Sequence, residues 1–343
     1  MTGQLDLVTP AALGVRDRAV SKTTAQRLYD SVPPNTRRAY ARAWDGRPNP
    51  ETEPERPGGF VGWCAEHGRT PIPATPETLA EYVSHLCDRD LSPSSIEQTV
   101  AAIRTRHRLA GHGKHFPDAD AANRVLRTHR RDRAARGKGG QRQAVPIVVE
   151  NLRKMVDTID TETLLGARDH ALLVLGLAVF GRRSELAALR WDDITGHAEG
   201  MTVRIRMSKT DQDAVGESVP VLWGAFPGTN PVLVLDRWRE AVNSRGQAAG
   251  PLLRSVRNGQ LGTRPIPTNA INEVVQRRAL LAGLGEGYSA HSLRAGAATV
   301  AYSNGAPIDT ICRLGRWKKG SRAVLGYIRA VDAWKDHPFR GVL

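Results

Sequence analysis

The stretch from His291 to Tyr327 gathers side chains that could hold an anion and act on it. It reads His291-Ser-Leu-Arg294, then Arg313-Leu-Gly-Arg-Trp317, then Tyr327-Ile-Arg329. His291 and Arg294 are three residues apart, so on a helix both point the same way. The residues behind them are small and apolar (Ala295, Gly296, Ala297, Ala298, Val300, Ala301), which allows close packing while the polar first turn faces a charged ligand. A second group is Gly181-Arg-Arg-Ser-Glu-Leu186, where a long apolar run ends in two arginines. A buried cation without an anion is expensive. Glu185 can supply that anion as an intra-helical pair, or Arg182, braced by Glu185, can be aimed at a phosphate, with Arg183 as the alternative arginine. Taken singly, the other residues are bland. A tyrosine on a helix is usually a half-buried packing residue, and Lys209 in Ser-Lys-Thr is an ordinary turn lysine.

The elements that must position these groups can be read in outline. Asn304-Gly-Ala-Pro307 stops the helix of His291 and starts another, which is amphipathic through Ile308, Ile311, Cys312 and Leu314. Gly315-Arg-Trp317 ends that helix, and a further short helix carries Tyr327. Upstream, Pro146 to Ile159 reads as a helix and Ala167 to Leu189 as an apolar segment closed by Trp191-Asp-Asp-Ile194. Met201 to Met207 alternates as a strand, residues 208–216 form a turn with Lys209 at its tip, and Ser218 to Val221 returns. Helices near 231–244 and 268–283 complete an α-rich domain with a small antiparallel sheet.

The first half reads as helical. Residues 1–20 have weak periodicity and form an arm or short helix. A helix capped near Asn35 puts Tyr40 and Trp44 on its apolar side, and the Pro- and Gly-rich residues 45–59 form a surface loop. Thr75-Pro starts a helix that buries Leu79, Tyr82, Val83 and Leu86; Ser92-Pro starts the next, running to about His107; a last helix spans about Asp118 to Arg136. Gly137-Lys-Gly-Gly140 is a flexible joint. The expected organisation is an arm (1–20), a compact four-helix domain (21–136), a linker (137–145), a second domain (146–330) and a tail (331–343).

The chain has 343 residues and a formal charge of +14, which favours a polyanionic partner: nucleic acid first, an anionic membrane second. No apolar run approaches the roughly 20 residues of a membrane span, and the N-terminus lacks a basic-then-apolar signal, so a cytoplasmic, nucleoid-associated protein is expected. Cys64, Cys87 and Cys312 are scattered, reduced and structural, and no residue cluster has metal-ligand spacing. No metal or cofactor is expected. Residues 124–142 hold eight Arg or Lys against one acid, Asp132. They form either a solvated helix face or a basic segment lying on DNA phosphates. Candidate DNA contacts are Arg37, Arg38, Arg104, Arg106, Arg127, Arg130 and Arg131. An RNA-binding module is disfavoured, since no RRM or KH motif is present.

The order His-x-x-Arg, Leu-Gly-x-Trp, Tyr-Ile-Arg resembles the C-terminal box of the tyrosine recombinases, the phage integrase family that includes Cre and the Xer proteins. Gly-x-Arg-x-x-Glu-Leu resembles the family's first box. It favours Arg182 over Arg183, because the family places its Glu three residues after the Arg. Lys209 matches the family's hairpin lysine. The first half resembles the family's core-binding domain, with residues 45–59 as a departure. The Trp317–Tyr327 spacing is one residue longer than usual, which places an insertion near Gly320. The resemblance implies a C-shaped clamp around duplex DNA. It also implies that Arg182 and Arg294 fork a phosphate, that His291 and the Trp317 N–H donate to it, and that His291 takes the Tyr327 proton. Tyr327 then forms a 3′-phosphotyrosine, and Lys209 protonates the leaving 5′ oxygen. It further implies inverted-repeat sites, monomers in solution that form a homo-tetramer on DNA, a Holliday junction, and a tail (Val331, Trp334, Phe339) docking on a neighbour. The rivals are a type IB topoisomerase, which the N-terminal helical domain disfavours, and a catalytically silent DNA-binding protein, which the complete polar set disfavours.

Overall fold

The computed structural model describes residues 21–46, 59–113, 115–139, 144–206, 216–246, 249–335 and 339, without the side chains of 25, 28, 29 and 329–335. The arm 1–20, most of the loop 45–59, and Lys209 with its turn fall outside these residues, as do the side chains of Val331 and Trp334. The chain divides into two compact units, residues 1–141 and 142–343. No helix among the described residues is long and apolar enough to cross a membrane.

The described part of the first unit is helical: α1 (Lys22–Asp30), α2 (Pro34–Asp45), α3 (Gly59–Glu66), α4 (Pro76–Asp88), α5 (Pro93–Leu109) and α6 (Asp120–Ala135). It thus has six helices where four were expected. Thr75 Oγ1 accepts the Thr78 N–H at 3.2 Å and Ser92 Oγ accepts the Ser95 N–H at 3.2 Å, so hydroxyls cap α4 and α5 ahead of a first-turn proline. The cap expected at Asn35 is not made. Pro34, with its preset φ, already lies within α2, and Asn35 Oδ1 accepts from the Arg38 guanidinium at 2.7 Å. Leu79, Tyr82, Val83 and Leu86 of α4 are buried with Trp44, Phe60, Trp63, Ile96 and Ile103.

The basic run falls mostly on a helix, as the first of its two readings had it. Up to Ala135 it is the polar side of α6, whose Ala122, Leu126 and His129 are buried, and α6 packs on α4. Its end is then tied down. Arg133, Arg136 and Lys138 reach the Asp90 carboxylate at 2.6, 3.3 and 2.7 Å. Hydrogen bonds from Lys138 and Arg133 outweigh the raising effect of desolvation and hold that carboxyl down at about 2.

The second unit contains α7 (Val149–Asp157), α8 (Leu164–Ala178), α9 (Arg183–Ala188), β1 (Ile194–His197), β2 (Gly200–Ile205), β3 (Glu217–Leu222), α10 (Pro231–Asn243), β4 (Arg254–Arg257), β5 (Gln260–Pro265), α11 (Thr268–Leu281), α12 (Ala290–Ser303), α13 (Ile308–Leu314) and α14 (Arg322–Lys335). The architecture is mainly α with small antiparallel sheets. The apolar segment 167–189 is two helices rather than one run. After α8 the chain turns through Phe180 at φ 51°, and α9 restarts at Arg183. β1–β2–β3 is an antiparallel meander in which Val203 faces Ile194 on one side and Val219 on the other. Met201, Val203 and Ile205 turn inward while Arg204 is exposed, the alternation expected of a half-buried strand. β1 and the β4–β5 hairpin were not anticipated.

α8 runs through the middle of this unit, buried along most of its length, and its core continues through Leu293 of α12 and Trp238 of α10. A smaller apolar cluster joins α12, α13 and α14 through Ala295, Ala298, Ile311, Cys312, Val324, Tyr327 and Ile328. This cluster seats Tyr327 beside α12. The small residues noted on α12 have a structural reason at Gly296, where a Cβ would lie 1.9 Å from the Ile147 carbonyl oxygen. Helix propensity alone would make Gly296→Ala stabilising by about 1 kcal/mol. Contact with backbone reverses the sign, and the variant is expected to lose about 1–3 kcal/mol in urea denaturation. A gain in stability would show that α12 does not approach Ile147 this closely.

Candidate active site

Arg182, Glu185, His291, Arg294, Trp317 and Tyr327 come together where the α8–α9 turn, the start of α12, the α13–α14 connection and α14 meet. His291 and Arg294 share the first turns of α12. That helix start is fixed by Ser289, whose N–H donates to Ser292 Oγ at 3.0 Å, and by Asn272, whose Oδ1 accepts the Ala290 N–H at 3.0 Å. The Tyr327 hydroxyl lies 2.9 Å from His291 Nε2. Although His291 keeps an exposed edge, desolvation by the surrounding side chains, then the charges of Arg294 and Arg182, push its pKa below its usual value, so the ring is neutral at pH 7 and Nε2 can accept the phenol's proton. Burial raises the Tyr327 pKa, opposed by Arg294, so the phenol keeps its proton until a base takes it.

The two arginines are gripped from behind. The Arg182 N–H donates to Glu185 Oε2 at 3.0 Å, its Nη1 pairs with Glu185 Oε1, and its Nη2 donates to the Arg316 carbonyl at 2.9 Å. Arg183, the alternative first-box arginine, is exposed at the start of α9. Arg294 is 1% exposed. Its Nη1 donates to the Phe180 carbonyl and its Nη2 to the Gly315 carbonyl. Burial, then the Arg182 charge, lowers its pKa to about 9, which still leaves a cation at neutral pH. The Trp317 ring covers this guanidinium at 3.8 Å, a cation–π contact, and meets Phe180 edge-on at 6.2 Å. Trp317, expected as a phosphate donor, is thus first of all the platform of Arg294. It fits only because residue 315 is glycine, where a Cβ would lie 1.8 Å from the indole.

Sequence reasoning gave no role to Arg316. Its side chain is fully buried, and its backbone is left-handed at φ 55°, which costs a non-glycine residue roughly 1–2 kcal/mol. Its Nη2 contacts Glu185 Oε2 at 2.8 Å and the Val179 and Phe180 carbonyls at 3.0 and 3.2 Å, and its Nη1 donates to the Leu314 carbonyl at 2.8 Å. Burial alone would raise the Glu185 pKa, but Arg316 and then Arg182 outweigh it, and the carboxyl is held ionised. The only signal in the sequence was a charged residue directly after the helix-ending Gly315.

The expected DNA contacts lie on the first unit and are not equivalent. Arg37 pairs with Asp30 at 2.9 Å, Arg130 pairs with Glu97, and Arg106 stands 3.9 Å from Asp45. Arg38 donates to Asn35, and Arg104 Nη2 is 3.4 Å from His115 Nδ1. Arg127 and Arg131 are exposed one turn apart on α6.

A helical unit joined to an α-rich unit with a tyrosine, a histidine and two arginines around one point defines the tyrosine recombinase class. Comparison with known proteins agrees. The profile of the phage integrase family matches residues 146–332. The chain is 33% identical over 324 residues to an integrase/recombinase XerD homolog of Selenomonas ruminantium, covering 93% of this chain and 88% of that protein. It is 27% identical over 301 residues to the recombinase Cre of Escherichia phage P1, covering 80% and 81%. In fold it is similar to the Tn1549 transposon integrase solved with transposon right end DNA, with a TM-score of 0.57 at 13% identity, covering 92% of this chain and 96% of that one. The chain belongs to the phage integrase family.

Glu185→Gln keeps the shape of the side chain and removes its charge, leaving buried Arg316 without its anion. Breaking a buried pair from one side costs about 3–5 kcal/mol. A loss of that order is expected in urea denaturation, and a loss under about 1 kcal/mol would mean that the carboxylate does not compensate Arg316.

Proposed function

We propose that this chain is a site-specific DNA recombinase that cuts and rejoins strands through a 3′-phosphotyrosine at Tyr327. The observation that carries this reading is the Tyr327 hydroxyl at 2.9 Å from a histidine whose pKa is lowered, beside the buried Arg294 and the half-buried Arg182. As Tyr327 Oη attacks phosphorus, its proton passes to His291 Nε2, and the bond to the 5′ oxygen breaks. Arg182 and Arg294 stabilise the charge on the non-bridging oxygens of the pentavalent transition state. Lys209, in the segment between β2 and β3, gives the leaving 5′ oxygen its proton. Reversal with a 5′ hydroxyl from another strand rejoins DNA, and the ester conserves the bond energy in the meantime.

In this reading residues 21–136 grip the DNA, 137–145 link the domains, and 146–330 carry the chemistry. The family likeness extends the proposal to inverted-repeat sites, a homo-tetramer of protomers monomeric in solution, exchange through a Holliday junction, and docking of residues 331–343 on a neighbouring protomer. Arg127 and Arg131 are favoured over Arg37 and Arg130 as phosphate contacts, because the latter two are paired with carboxylates.

The test uses nicked suicide duplexes carrying DNA that flanks the protein's own gene. Wild type is expected to give an SDS-resistant protein–DNA adduct and Tyr327→Phe none. An adduct from the Phe variant would assign the nucleophile elsewhere, and bound DNA without any adduct would favour a silent binding protein. Two further outcomes follow. With His291 acting as a neutral base of lowered pKa, the cleavage rate is expected to stay level through neutral pH and to fall only below about 6.5. A fall that begins above neutrality would contradict that role. Arg127→Gln is expected to reduce the slope of log K against log salt by about 0.9. An unchanged slope would remove Arg127 from the phosphate contacts.

A further inference from the structure

Two guanidinium groups, Arg182 and Arg316, bind one carboxylate, Glu185, and a third, Arg294, lies near enough to feel its charge. The proposed reaction gives work to Arg182 and Arg294 and none to Arg316, yet the Arg316 side chain is fully enclosed. A left-handed non-glycine residue persists only where its surroundings over-determine it. Here they do so through Glu185, three backbone carbonyls and the neighbouring residues.

We infer that Arg316 is a positioning residue for strand cleavage: its side chain neutralises Glu185, so that the charge of Arg182 is left for the phosphate. This inference rests on the phosphotyrosine reading above. Glu185 divides its oxygens, with Oε1 on Arg182 and Oε2 on Arg316 and the Arg182 backbone N–H. With Arg182 as its only cation, the carboxylate would cancel that arginine's charge, and a phosphate would meet a neutral pair. With Arg316 present, the pair Glu185–Arg316 is neutral, and Arg182 and Arg294 remain as two uncancelled cations. Two positive charges suit a pentavalent phosphorus centre whose non-bridging oxygens carry about two negative charges.

The same tripeptide also aims both arginines. The Gly315 carbonyl accepts from Arg294, the Arg316 carbonyl from Arg182, and the Trp317 ring lies on Arg294. The Arg316 side chain pins this tripeptide to the α8–α9 turn at Val179 and Phe180. Arg316 touches no reacting atom in this scheme and acts through Arg182 and Arg294.

Arg316→Gly is the informative variant, since glycine accepts the left-handed backbone at no cost. If Arg316 were only a strained filler, glycine would leave cleavage unchanged. The full-length protein is compared on the suicide duplex described above, with three readouts: melting temperature, DNA affinity, and single-turnover adduct formation at saturating protein. Arg316→Gly is expected to bind DNA within about threefold of wild type and to form adduct about 30-fold or more slowly. Adding Glu185→Gln removes the negative charge that would otherwise cancel Arg182 and is expected to recover about fivefold or more of that loss, a non-additivity that general destabilisation would not give. Arg316→Lys keeps the charge and is expected to retain about a tenth or more of the wild-type rate, which keeps the proposal testable if the glycine variant does not fold. Adduct formation by Arg316→Gly within about twofold of wild type, no recovery in the double variant, or a lysine variant as slow as the glycine one would each overturn the inference. Absence of adduct from wild type would instead remove the phosphotyrosine reading, and the inference with it.

Discussion

The Glu185 carboxylate sits buried between two arginines, and much of the site depends on it. A carboxylate in that position would be protonated without partners, and the guanidinium of Arg316 would not stay buried without an anion. Together they bind the start of α9 to the α13–α14 connection, two segments far apart in sequence. Arg182 is oriented by the same carboxylate and by the Arg316 carbonyl, and Arg294 by the carbonyls of the two adjoining turns. Arg182 and Arg294 are therefore held by backbone carbonyls, by Glu185 and by the Trp317 ring rather than by the apolar core.

The core has a different task, which is to deliver the tyrosine. α8 gives the second unit a buried axis, α12 packs along it with a glycine against the Ile147 carbonyl, and α14 docks on α12 through Val324, Tyr327 and Ile328. Tyr327 is both a packing residue and the proposed nucleophile. The residue is 6% exposed, and its hydroxyl ends at His291. Burial that raises the phenol's pKa also lowers that of the histidine, so proton and acceptor are set against each other by one environment.

How much of this could be read in advance depended on whether the cause was local. His291 and Arg294 were legible because three-residue spacing on a helix fixes a shared face. Arg182 and Glu185 were legible because an apolar run that ends in cations must find an anion. The caps at Thr75 and Ser92 follow from a hydroxyl before proline, whereas Asn35 failed as a cap because Pro34 already opens that helix. Asn258-Gly259, at φ 48° and 71°, is a hairpin signal that was present and overlooked, and it joins β4 to β5. Arg316 could not be read, since its burial and its partner are set by the meeting of α9 with the α13–α14 connection. Trp317 was read by its type as a donor, while its contact with Arg294 depends on the absence of a side chain at Gly315. Family resemblance supplied Lys209 and Tyr327 where residue-level argument was bland.

The account is tested most directly by mapping the covalent bond itself. Adduct formed on a suicide duplex would be digested with nuclease and trypsin, and the nucleotide-bearing peptide sequenced by mass spectrometry. The result expected is peptide 323–329 carrying a nucleotide on Tyr327 through its 3′ phosphate, with the released strand ending in a 5′ hydroxyl. A nucleotide on any other residue, or a linkage through a 5′ phosphate, would contradict the assignment of nucleophile and leaving group on which the rest of the mechanism is built.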